Sequence, residues 1–286
     1  VVRERRGHSR VIALLLLLTA TASWGASFVV VKDAVAHTPV LSFLTWRFLV
    51  ASGLLVAFRP HSLAQLGSRR WAQGSLIGLA LAGGYILQTF GLRYTSAAVC
   101  GFLTGLQVVV TALLAWLLLC QRPTGRMWLA IFLATAGLAV ISVRGVSFGL
   151  GEALTLASTV LFALQLVGLA YWSSTRDAYG LATVVVLTVA ACCLAASLPT
   201  GPGLPTSLWT WAAIAATGVV ATAFASVAQM WAQSQLSATD GAIVLTTEPI
   251  FTALVAWATG QTIAWPVLVG GGLIILAMLI AEVGRT

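Results

Sequence analysis

Charged side chains are scarce in this chain. Asp, Glu, Lys and Arg make up 8% of its 286 residues, and only seven are acidic. A soluble domain of this length would need about a quarter of its residues charged to keep a wet surface, so that class is excluded. Histidine is nearly absent: His8, His37 and His61 lie apart in the tail and loops, and no metal or catalytic cluster is supported. The four cysteines, Cys100, Cys120, Cys192 and Cys193, show no metal-ligand spacing, and the adjacent pair cannot readily bridge. They read as small residues of an apolar interior. Clustered catalytic groups near the end of an apolar stretch are also missing, which counts against a membrane-embedded enzyme.

What is present is apolar sequence, 59% of the chain. It divides into ten stretches, at 11–31, 40–58, 72–91, 96–120, 127–143, 150–172, 181–198, 208–234, 240–259 and 265–283. Each approaches or exceeds the ~20 residues that cross a bilayer as a helix. The connections are short and carry turn signals, such as Thr38-Pro39, Arg59-Pro60, Arg122-Pro123 and Pro199-Thr200-Gly201-Pro202. Arg3, Arg5, Arg6 and Arg10, followed by Val11–Leu18 and Ala20-Thr21-Ala22, have the layout of a signal peptide. The apolar run nevertheless continues through Trp24 to Val31, a full crossing.

The net charge of +8 would suit nucleic acid if the arginines shared a face. They are spread over loops instead, so the expected partner is the lipid bilayer, with no nucleic acid. The N-terminal side of the membrane collects Arg3, Arg5, Arg6, Arg10, Arg59, Arg69, Arg70, Arg122, Arg126, Arg176 and Arg285; the other side holds Lys32, Arg93 and Arg144. That asymmetry places both termini in the cytoplasm.

The second half of the chain echoes the first. An offset of 141 carries Gln88 onto Gln229, Ala97 onto Ala238, Thr111-Ala112-Leu113 onto Thr252-Ala253-Leu254, and Ala115-Trp116 onto Ala256-Trp257. A duplicated unit with an odd number of spans must insert its second copy upside down. The fold expected is therefore an all-α integral membrane protein of ten transmembrane helices, arranged as two inverted five-helix repeats, residues 1–145 and 146–286. Inverted repeats meeting at the midplane are the architecture of carriers that work by alternating access.

Polar side chains recur at helical spacing inside these stretches. Cys100, Thr104, Gln107 and Thr111 share one face of the fourth; Thr222, Ser226, Gln229 and Gln233 share one of the eighth. The sixth offers Thr155, Ser158, Phe162 and Gln165, the first Thr19, Ser23 and Ser27, and the third Tyr85 and Gln88. A single Ser or Thr is adequately explained by hydrogen bonding between helices. The set, with the long amides Gln88, Gln107, Gln165 and Gln229, points to an aqueous cavity. Trp24 lies too deep for the headgroup belt that explains the other tryptophans, and its indole N–H needs a partner or water.

Two ionisable residues lie within stretches. Glu248 sits near the middle of the ninth, followed by Pro249, which cannot donate to the Leu245 carbonyl and should bend the helix. It is either a substrate or proton site, or a structural carboxyl bonded to Thr246, Thr247 or a neighbouring helix. Arg47, in the second stretch, is expected to be structural, snorkelling outward or pairing with Glu152 or a helix C-terminus. Gly74-x-x-x-Gly78 and Gly101-x-x-x-Gly105 should permit close helix contact.

Ser23-Trp24-Gly25, Phe43-x-x-x-Arg47-Phe48, Glu248-Pro249-Ile250-Phe251 and Gly271-Gly272-Leu273-Ile274-Ile275 together resemble the drug/metabolite transporter superfamily, in its EamA branch. The resemblance spans nearly the whole chain. It implies two inverted five-helix repeats, no bound cofactor and residence in a bacterial inner membrane. Within the family, Trp24, Tyr85, Phe162 and the buried amides look most like the YddG-type amino-acid exporters. The Gly-Glu pair usual after the fourth and ninth spans is replaced here by Cys120-Gln121 and Gly260-Gln261, so no charge remains at either place and the resemblance carries over no role for those carboxylates. The expectation is a carrier exporting amino acids or similar small metabolites, its substrate contacts made by Trp24, Ser27, Tyr85, Gln88, Thr104, Gln107, Phe162, Gln165, Gln229 and Glu248. The alternative is a proton-coupled exporter of lipophilic or cationic drugs. The oligomeric state is left open, a monomer included.

Overall fold

In hydrocarbon an unpaired backbone N–H or C=O costs several kcal/mol, and a helix satisfies both within one segment. The computed structural model describes residues 2–119, 125–143, 149–172, 177–236 and 244–283, and every regular element among them is helical. Arg122, Arg144, Arg176, Arg285, Ala238 and the Cys120-Gln121 pair lie outside the described residues.

In chain order the helices are α1 (Val2–His37), α2 (Val40–Phe58), the short α3 (His61–Ala64), α4 (Ser68–Tyr94), α5 (Ala97–Gly105), α6 (Gln107–Leu119) and α7 (Gly125–Val143). They continue as α8 (Leu150–Trp172), α9 (Ala178–Ser197), α10 (Leu208–Gly218), a π-helical segment (Val219–Phe224), α11 (Ala225–Gln235), α12 (Glu248–Ala258) and α13 (Trp265–Val283). Among the described residues, six segments are long and apolar enough to cross a bilayer: Val11–His37, Val40–Phe58, Ser68–Tyr94, Leu150–Trp172, Ala178–Ser197 and Leu208–Gln235. The remaining apolar helices are shorter.

Two expected spans are interrupted. The fourth breaks at Leu106, between α5 and α6. In the ninth, α12 begins at Glu248 after a turn at Thr246 and Thr247, and residues 240–243 lie outside the described residues. Pro249 therefore does not bend a running helix. It occupies the first turn of a new one, where its missing N–H would have had no intrahelical acceptor.

Helix pairing is reciprocal between the halves. The main packing partners are α4 with α8 and α1 with α11; α4 with α9 and α2 with α10; α5 and α6 with α8 and α1 with α12. α2 packs on α9, α5 on α12, and α7 on α13. Directions follow from the contacts at the helix ends. At one end, Trp209 Nε1 near the start of α10 donates to Asp33 Oδ2 near the end of α1 at 2.7 Å, and Lys32 Nζ donates to the Leu92 carbonyl late in α4 at 3.1 Å. At the other, Tyr179 Oη at the start of α9 donates to the Leu55 carbonyl late in α2 at 2.6 Å, and Arg70 Nη1 early in α4 donates to the Trp172 carbonyl ending α8, also at 2.6 Å. Hence α9 runs opposite to α2, α8 opposite to α4, and α10 opposite to both α1 and α4.

Close seams depend on glycine. A Cβ on Gly78 would stand 2.6 Å from Thr188 Cβ and 2.9 Å from the Val185 carbonyl of α9. One on Gly101 would meet Thr252 of α12 at 2.8 Å. Both expected small-residue motifs thus lie at tight helix contacts.

Candidate functional site

Where α1, α2, α4, α5, α6, α8, α9, α11 and α12 converge they leave a cavity of about 90 Å³, room for several waters. All ten side chains singled out from the sequence line it. Trp24 and Ser27 come from α1, Tyr85 and Gln88 from α4, Thr104 and Gln107 from either side of the Leu106 break. Phe162 and Gln165 come from α8, Gln229 from α11, and Glu248 from the first turn of α12.

Several neighbours of these side chains in the polar stripes serve the scaffold. Thr155 Oγ1 donates to the Gly151 carbonyl at 2.8 Å and Ser158 Oγ to the Thr155 carbonyl at 2.6 Å, each within α8. Thr111 Oγ1 likewise donates to the Gln107 carbonyl at 2.6 Å. One helix face thus continues from bonded scaffold into open cavity.

Several lining groups are held by specific bonds. Gln88 Nε2 donates to Thr104 Oγ1 at 2.9 Å, joining α4 to α5. Trp24 Nε1 donates to the Ala221 carbonyl at 2.8 Å, which supplies the partner its depth demands. That carbonyl belongs to the π-helical segment, whose shifted ladder opens backbone acceptors to side chains. Tyr85 packs edge-on against Phe162 with ring centres 5.4 Å apart and against Phe48 at 5.0 Å, giving one wall an aromatic surface.

Glu248 is buried, and among the described residues no hydrogen bond or ion pair engages its carboxylate. Thr247 does not hold it: the Thr247 hydroxyl donates to the Val244 carbonyl at 2.6 Å. Glu248 lines the cavity, where water can solvate it.

Arg47 corrects the sequence expectation. It neither snorkels nor pairs with Glu152, whose carboxylate accepts from Thr95 Oγ1 at 2.5 Å and from the Gly149 N–H at 2.9 Å. Arg47 is 2% exposed and lines the cavity. Its Nε donates to Thr222 Oγ1 in the π-helical segment at 2.9 Å, and its guanidinium lies 5.1 Å from the Tyr85 ring centre. The signal was present in the sequence, since an arginine inside a span is as unusual as the glutamate that was singled out. Ser226 and Met230 of α11 also line the cavity beyond the ten.

A second recess, between the end of α4 and the start of α8, is lined by Lys32, Arg93 and Glu152 among others. Lys32 and Glu152 there are committed to backbone and Thr95 partners, as befits a brace at a helix junction.

Comparison with known proteins agrees with this architecture. Two stretches, 11–143 and 149–282, each match the EamA-like transporter family. An uncharacterized transporter of Archaeoglobus fulgidus is 28% identical over 277 residues, covering 96% of this chain and 87% of that protein. The uncharacterized transporter YvbV of Bacillus subtilis is 31% identical over 162 residues, 54% of this chain and 52% of its own. YyaM of the same organism, also an uncharacterized transporter, is 24% identical and covers 94% of this chain and 92% of its own. A solved crystal structure superposes with a TM-score of 0.67 at 18% identity, covering 94% of this chain and 96% of that one, a likeness of fold. With a family match over both halves and apolar helices long enough to cross a bilayer, this chain is a multi-pass membrane transporter and belongs to the EamA-like transporter family.

Proposed function

We propose that the protein is a secondary carrier of the bacterial inner membrane that exports amino acids or related small metabolites by alternating access. It is built as two inverted five-helix repeats, residues 1–145 and 146–286, with both termini cytoplasmic. The observation that carries the reading is one interior cavity offering amides, aromatic faces, a buried guanidinium and a buried carboxylate together. Aromatic walls accept apolar side chains and ammonium groups, and the amides and charges hold the polar ends of a zwitterion. The reciprocal helix pairing and the opposed directions of α2 and α9 support inverted repeats. So does the offset of 141, which carries Gln107 onto Glu248: the first residue of α6 falls on the first of α12, and both line the cavity. Discontinuous helices that begin at a midplane site are a recurring device of carriers.

The test is uptake and efflux of a panel of labelled amino acids by purified protein in lipid vesicles. We expect saturable movement of at least one class above protein-free vesicles; none for any member defeats the substrate reading. A second reading, export of lipophilic cations in exchange for protons, draws on the unengaged Glu248 carboxylate in the same cavity as the aromatic rings.

A further inference from the structure

Among the described residues, Arg47 Nη2 is the one buried side-chain nitrogen or oxygen without a hydrogen-bond partner. Arginine remains protonated in proteins, so this is a permanent charge with an open donor in a site of low dielectric. Such a donor is strongly unfavourable unless something completes it. The rest of the side chain is fixed. Nε is committed to Thr222 Oγ1 at 2.9 Å, and that hydroxyl in turn donates to the Thr217 carbonyl at 2.9 Å. The guanidinium carbon lies 5.1 Å from the Tyr85 ring centre and 5.4 Å from that of Phe48. A planar fork held at Nε, set against two aromatic rings and without a partner at Nη2 is pre-set for a planar anion.

We propose that Arg47 docks a carboxylate of the transported molecule, which assigns the cargo to carboxylates, α-amino acids among them, and not to cations lacking an acid group. This deepens the proposed function and rests on taking the cavity as its transport site. Two further observations agree. Glu248 and Arg47, a carboxyl group and a guanidinium, line the same cavity, yet no ion pair joins them among the described residues. A zwitterion can satisfy both, its ammonium group toward Glu248 and its carboxylate on Arg47. In addition, α6 and α12 begin at the cavity with Gln107 and Glu248, and the N-terminal ends of helices carry partial positive charge that favours an anion.

The experiment measures binding, by calorimetry on the purified full-length protein in detergent. Three probe sets are compared: α-amino acids, their carboxamides, and the plain carboxylic acids of the same side chains. Wild type is expected to bind acids about tenfold to a hundredfold more tightly than carboxamides, as one charge-assisted contact provides. Arg47→Gln is expected to erase that margin, acids losing at least tenfold more affinity than carboxamides. Arg47→Lys, which keeps the charge and loses the fork, should retain only part of it. The assignment is overturned if wild type makes no such distinction, if no acid binds, or if Arg47→Gln keeps the margin. Should the Gln variant not fold, an undiminished margin in Arg47→Lys overturns it. Plain acids bound in an Arg47-dependent way, with no amino acid bound or carried, would leave Arg47 its role and defeat the amino-acid reading. Amino acids carried but bound no better than their amides would do the reverse.

Discussion

Glu248 and Arg47 are ionisable groups withdrawn from bulk water, and each would be costly in a purely apolar surround by several kcal/mol. Arg47 offsets part of that through Thr222 and the faces of Tyr85 and Phe48. Glu248 has no such partner among the described residues and relies on the cavity itself. A group solvated only by cavity contents is sensitive to what fills the cavity. We therefore expect Glu248→Gln to slow vesicle transport about tenfold or more by removing the acidic group proposed to meet the ammonium group of the cargo, with little loss of thermal stability. If the cargo is instead exchanged for protons, the same variant would lose its response to an imposed pH gradient while substrate-for-substrate exchange persists. Uptake measured with and without a gradient separates the two.

Three departures from regular α-helix lie at or beside the cavity. The break at Leu106 sets Thr104 on α5 and Gln107 on α6; the turn before Glu248 starts α12 at the site; the π-helical segment receives Trp24 and Arg47. Away from the cavity the helices are regular and their seams tight. The α4–α9 seam tests the second half of that statement. Gly78→Ala, whose Cβ would meet Thr188 Cβ at 2.6 Å, is expected to destabilise by about 1–3 kcal/mol through overpacking. Gly53→Ala, with open space around its Cβ, should be neutral or stabilising by up to about 1 kcal/mol. Thermal unfolding of both variants in detergent checks the contrast, and equal effects would show that the seam has slack.

For the molecule as a whole, the contacts at the helix ends sort the loops into two sets. The α1–α2 connection and the first turn of α10 meet through Thr38 and Thr210, whose hydroxyls are 3.3 Å apart. The α2–α4 and α8–α9 connections belong to the other end, where Arg70 Nε lies 3.5 Å from Asp177 Oδ2. In the orientation proposed from the basic residues, Gln65 faces the cytoplasm and Thr206 the outside. On a background with the four cysteines replaced by alanine, a membrane-impermeant thiol reagent added to intact cells is expected to label Thr206→Cys. It should reach Gln65→Cys only after permeabilisation. Labelling of both from the same side would defeat the orientation.

The apolar stretches, the polar faces and the ten cavity residues were legible in the sequence because hydrocarbon imposes a simple rule. Every long apolar run must be helical, and polar side chains on it must turn inward. Helical spacing then identified the inward face without knowledge of its neighbours. What the sequence could not specify was which stretches of an inward face are closed by packing and which stay open. Thr155 and Gln165 lie on the same side of α8, and only the approach of other helices makes one a bonded scaffold residue and the other a cavity wall. The interruption at Leu106 and the π-helical turn were equally hidden, since apolar helix-forming sequence runs through both, whereas Pro249 signalled a disturbance at Glu248 but not that a new helix starts there. The role of Arg47 was decided at the same level. An arginine in a span can snorkel, pair or point inward, and the choice rests on Thr222, Tyr85 and Phe48, brought to it from elsewhere in the bundle or from its own helix turn.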